Sequence, residues 1–184
     1  MPCSRHHRRG LRVGLLCVVV VSTLAACSVE ATLPPPGCGA GSGLIAAQSV
    51  PSAELLPCLE DSPEGWSIAT VSITEEGTVV RLDSDRAGEG AATLRFEDAC
   101  DIGPAVSVPS NLPPAERFDD IERLQPGFKA SVFYRFDGGC VSWFFDFDDG
   151  ASATESVALE DTLTLIDRQD FNDQLRETFI DEDL

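Results

Sequence analysis

The chain has 184 residues and a formal net charge of -18, from 31 acidic and 13 basic side chains, with seven cysteines. That length holds one ordinary domain and is too short for a multidomain enzyme. Lys129 is the single lysine. So acidic a chain excludes nucleic acid as a partner, because phosphate backbones need Lys and Arg to replace their counterions.

Residues 1–12 carry Arg5, Arg8, Arg9 and Arg12 and no acid; residues 13–26, VGLLCVVVVSTLAA, are apolar or small. A charged stretch followed by a short apolar run predicts a secretory signal over 1–26 rather than a structural helix. The run is shorter than the ~20 residues that span a bilayer. Its end, Leu24-Ala25-Ala26-Cys27, resembles the bacterial lipobox. That resemblance implies cleavage before Cys27, a thioether-linked diacylglycerol on its sulfur, and a body held at the extracytoplasmic face of the cell membrane. An ordinary signal, or an uncleaved anchor with Cys27 incidental, is the alternative. Ser28 follows, where an aspartate would suggest inner-membrane retention in a Gram-negative cell.

Cleavage would remove both histidines and four of the basic residues, leaving nine against 31 acids. Anionic headgroups would then repel the body, so the lipid on Cys27 would be the membrane contact. Cys3 and Cys17 leave with the signal. Cys38, Cys58, Cys100 and Cys140 remain, and an even number in an oxidising compartment predicts two disulfides. We expect Cys100–Cys140 and Cys38–Cys58, because Cys100 follows one predicted strand and Cys140 opens another. A zinc site is the competitor, but no two of these cysteines are close in sequence, as zinc motifs require. No C-x-x-C redox motif exists.

Residues 27–51 contain PPP and GCGAGSG and read as a flexible tether; residues 52–184 read as a single extracytoplasmic domain. SAELLPCLE from Ser52 predicts a short helix limited by Pro57. Strands follow at 66–73, 78–83 and 92–97. The alternation slips between Ile68 and Val71, which marks a bulge. Residues 101–127 carry five prolines and read as irregular, with a helical turn around Glu116–Leu124.

The strongest local signal is a hairpin, 128–136 and 140–147, joined by Asp137-Gly138-Gly139. Tyr134, Trp143, Phe145 and Phe147 share its aromatic face and read as core. Phe133 and Phe144 fall on the opposite face. They are a candidate binding patch if that face meets solvent, and core if helices cover it. Ser152 and Glu155 have capping-box spacing before an amphipathic helix over 153–166; Asp170 is placed to cap a second helix over 171–180. The pattern predicts an α+β fold, an antiparallel sheet of about five strands with C-terminal helices packed on one face.

Residues 52–180 are similar to small uncharacterised lipoproteins predicted in high-GC actinobacteria. The likeness lies in PSAELLPCLE, the Gly65-Trp66 strand start, LDSDRAG and the Gly138-Gly139-Cys140 turn. It implies no activity and no cofactor.

Residues 27–184 contain no histidine, which removes Ser-His-Asp and Cys-His nucleophilic sites and His-based metal centres. Nucleophile-elbow, phosphate-loop and dinucleotide fingerprints are also missing. Carboxylates remain: Asp146, Asp148 and Asp149 at the hairpin end, and Asp83 and Asp85 before Gly88. Neither group fits the calcium-loop pattern. The expectation is therefore a non-enzymatic, membrane-anchored domain that binds an envelope protein or small ligand. The alternative is a carboxylate-dependent hydrolase of envelope glycans or peptides.

Overall fold

A computed structural model describes residues 47–59 and 62–180. The strands are β1 (Leu55–Leu59), β2 (Trp66–Thr74), β3 (Gly77–Ser84), β4 (Gly88–Glu97), β5 (Val106–Val108), β6 (Glu116–Arg123), β7 (Lys129–Phe136), β8 (Gly139–Asp146) and β9 (Leu163–Asp167). Among the described residues, 47–49 are helical, and two further helices follow: α1 (Thr154–Glu160) and α2 (Arg168–Ile180). Seven strands form one antiparallel sheet in the order β2-β3-β4-β8-β7-β6-β5, and β1 pairs with β9 in a second, two-stranded sheet. The fold is α+β with its helices on one face of the large sheet, which has seven strands rather than five.

Period-2 alternation builds the centre of the sheet. Leu94, Trp143 and Val132 stand side by side on β4, β8 and β7, as do Phe96, Val141 and Tyr134. All six are buried. Leu159 of α1, Leu163 of β9 and Phe171 of α2 join the same core cluster, so this face of the sheet is the covered one. The hairpin forms as its sequence predicts, with Gly138 at φ +70° in the turn. A Cβ there would collide with the Ser52 carbonyl. Ser52 Oγ also donates to the Gly138 carbonyl (2.8 Å), and Glu54 N to that of Asp137 (3.0 Å).

Several expectations are corrected. Within SAELLPCLE, Leu55–Leu59 forms β1, not a helix. Every residue of β1 is buried, and a short apolar run of this kind reads equally as helix or strand until its partner is known. That partner is β9, which replaces the end of the helix expected over 153–166. α1 stops at Glu160, and Thr162 N turns back to the Leu159 carbonyl (3.1 Å). The segment around Glu116–Leu124 is strand β6, paired along most of its length with β7. Ser152 makes no side-chain cap; Ala153 occupies the N-cap position of α1. Asp167, not Asp170, caps α2, its Oδ1 accepting from Gln169 N (2.7 Å) and Asp170 N (3.3 Å). The expected slip in β2 is present as a register shift between Ile68 and Thr70.

Cys100 and Cys140 are disulfide-bonded, with Cα atoms 5.7 Å apart. Cys58 is also disulfide-bonded. Cys27, Cys38, the expected signal and residues 27–46 of the expected tether lie outside the described residues. Ala47 and Val50, at the end of that tether, are buried in the core. Among the described residues no helix is long and apolar enough to cross a membrane.

Candidate binding face

The opposite face of the large sheet carries a second aromatic system. Strand register sets it out in rows: Thr93, Phe144, Ser131 and Asp120; then Arg95, Ser142, Phe133 and Phe118. In the next row Cys140 stands between Glu97 and Arg135. Serine alternates with phenylalanine on β7 and β8, so the rings meet on diagonals. Phe133 and Phe144 make an edge contact, with centroids 5.9 Å apart and ring planes at 88°. Phe118 stands directly across from Phe133 on β6.

An arginine closes each end of the strip. The Arg95 guanidinium lies 5.1 Å from the Phe144 centroid, and that of Arg135 lies 4.8 Å from the Phe118 centroid. Cations over ring faces are attracted by the ring quadrupole. Ion pairs hold both arginines loosely in place, Arg135 to Glu116 (2.7 Å) and Arg95 to Glu97 (3.9 Å). None of the three phenylalanines belongs to the main core cluster. Phe133 is buried within the strip, at 5% exposure, while Phe144 and Phe118 are half-buried. Helices do not account for Phe133's burial, since they pack on the other face.

A cavity of about 340 Å³ opens beside Phe144. Thr93 and Ser131 contribute hydroxyls to it, and Glu122, Lys129 and Asp146 contribute charges. Lys129 Nζ pairs with Glu122 (2.8 Å), a contact that raises the lysine pKa; Arg123 pairs with Asp146 (3.2 Å). A second, more open cavity of about 750 Å³ shares Gly90 and Asp146 with the first. It takes in Asp148 and Asp149, so those two and Asp146 do come together, on an exposed rim. Asp83 is used locally, accepting from Gly90 N (2.7 Å). No group of three or more His, Cys, Asp or Glu among the described residues is placed to hold a metal ion.

A polar knot on the covered face was not anticipated. Arg117 of β6 donates to both Asp119 oxygens (2.7 and 3.1 Å), to Asn111 Oδ1 (3.0 Å) and to the Tyr134 hydroxyl (3.1 Å). It also pairs with Glu160 of α1 (2.9 Å). Burial raises the pKa of Glu160, Arg117 only partly opposing it, and burial likewise raises that of Tyr134. Burial alone would lower the pKa of Arg117, but Asp119 and Glu160 more than offset it. No period-2 pattern marks this segment, since Arg117 and Asp119 share a face with Ile121 and Phe118 shares the other with Asp120, so neither the strand nor its partners had a local signal.

Comparison with known proteins finds no matching family model, no matching curated protein and no matching solved structure.

Proposed function

We propose that this chain is a lipid-anchored extracytoplasmic binding domain, tethered through Cys27, which presents the open face of its large sheet to a ligand or an envelope partner. The observation that carries the reading is the strip Arg95-Phe144-Phe133-Phe118-Arg135. A sheet whose second face only had to be soluble would alternate polar residues there. This one places three phenylalanines outside the main core cluster, Phe133 buried and Phe118 and Phe144 half-buried, and sets arginines over the two end rings. Aromatic and arginine side chains are the residues that most often dominate binding energy. The carboxylates beside Phe144 are each committed to a cation, which suits recognition better than proton transfer.

Two measurements test the reading. Cys27→Ser should move the protein from the membrane to the soluble fraction, and unchanged fractionation would overturn the anchor. A photo-crosslinking residue at position 118, on the open face, should yield a discrete adduct in intact cells. The same probe at the exposed position 157 of α1 should not. Equal labelling from both positions would remove the open face from the proposal.

A further inference from the structure

We propose that the cavity beside Phe144 is a site for a neutral saccharide, whose ring packs against Phe144 while its hydroxyls bond to the cavity walls. The proposal rests on the reading of the open face as a binding surface and names the class of ligand.

Register places the cavity on one side of the phenylalanine. Arg95 and Phe133 both stand in the row of Ser142, so they back Phe144 from that end of β8. The cavity lies towards Asp146, at the other end. A ring held from behind loses little freedom when a ligand packs on its free side, and that preorganisation favours binding. The walls then supply both kinds of hydrogen-bonding group. Thr93 and Ser131 hydroxyls donate and accept, Glu122 and Asp146 accept, and Lys129 donates. Sugar hydroxyls also donate and accept, and a sugar ring has apolar C–H faces for an aromatic side chain.

Charge decides against other small ligands. Lys129 and Glu122 neutralise one another across 2.8 Å, and Arg123 and Asp146 across 3.2 Å. A cation would find both carboxylates of this cavity already paired. An anion would enter against the field of a chain with net charge -18. A neutral polyhydroxylated ligand does neither. At about 340 Å³ the cavity is at the lower end of the ~300–1,000 Å³ range of small-ligand sites, which suits a short saccharide. Gly90 and Asp146 line both cavities, so the second lies next to the first.

The test uses the intact lipoprotein in detergent. Chitotetraose and maltotetraose serve as neutral probes, the chitosan tetramer as a cationic one and tetragalacturonate as an anionic one. Binding is read by saturation-transfer NMR and titration calorimetry. At least one neutral tetramer should bind, and more tightly than either charged one. Phe144→Ala should weaken it about tenfold or more, as loss of a central aromatic contact does. Thr93→Tyr, on the half-exposed open face, should fill the cavity and abolish binding while leaving the circular dichroism unchanged. Val157→Ala, at an exposed position of α1, should bind as the wild type does. Binding of neither neutral probe, preference for a charged one, or undiminished affinity in Thr93→Tyr would overturn the proposal. A specific crosslink from position 118 alongside any of those results would sink the saccharide alone. Failure of both would sink the binding face with it.

Discussion

Arg117 of β6 and Glu160 of α1 meet at 2.9 Å, with side chains 17% and 8% exposed, and this ion pair ties the short helix to the sheet. The two partners are not equivalent. Arg117 also neutralises Asp119 and bonds to Asn111 and Tyr134. Arg117→Met would strand two carboxylates at once and should cost about 3–5 kcal/mol, the usual penalty for leaving a buried charge unpaired. Glu160→Gln leaves Arg117 paired with Asp119 and removes a carboxylate that burial already disfavours, so its cost should be under about 1 kcal/mol. Urea denaturation of the two variants checks the order. Equal losses would show that the pair acts as a unit.

The same carboxylate makes a pH prediction. Burial raises the Glu160 pKa in the fold, so the native state holds this proton more tightly than the unfolded chain does. Stability should therefore fall as pH rises from the ordinary carboxylate range through the raised value, then level off. The difference in unfolding free energy between wild type and Glu160→Gln isolates that slope from the other acids. A difference that grows in favour of the wild type across that window would contradict it.

The Cys100–Cys140 bridge spans 40 residues of sequence and pins the chain leaving β4 to the open face beside Ser142. Restricting a loop of that size in the unfolded state is worth about 4 kcal/mol in the chain-entropy model. Cys100→Ala/Cys140→Ala should lower the unfolding free energy by about that much. It should also open the segment between Glu97 and Glu116 to proteolysis before the rest of the domain. A double variant that unfolds at the wild-type urea midpoint would remove the bridge from the stabilising interactions.

The β7–β8 hairpin and the bulge in β2 were legible in the sequence because their signals are local. Asp137-Gly138-Gly139 specifies a turn, and the flanking alternation sets which residues face the core. β6 was not legible. Its inward residues include Arg117 and Asp119, which look like solvent positions until Tyr134 and Glu160, 17 and 43 positions from Arg117, arrive to satisfy them. β1 failed for a related reason: Cys58 pairs with Thr164, and only that distant strand distinguishes an extended LLPCL from a helical one. Of the candidate binding face, Phe133 and Phe144 followed from alternation on the hairpin. Phe118 was hidden between charges, and Arg95 and Arg135 acquire their positions over the rings only through cross-strand register.

Arg168, at the start of α2, holds residues 47–54. Its guanidinium donates to the carbonyls of Ala47 (3.1 Å), Val50 (2.6 Å) and Ala53, and its backbone N–H donates to that of Glu54 (2.8 Å). Burial lowers its pKa, so those carbonyls, rather than an acidic side chain, must compensate the charge. Arg168→Ala should cost about 3 kcal/mol, since hydrogen bonds to a charged group are worth roughly 1.5–3 kcal/mol each but share one side chain here. Arg168→Lys should recover less than half of this, because one ammonium cannot reproduce a planar fork that reaches three carbonyls. Hydrogen exchange should quicken most at residues 47–56, with smaller changes in the β7–β8 hairpin. A uniform rise in exchange across the domain would instead make Arg168 a general stabiliser with no special hold on residues 47–56.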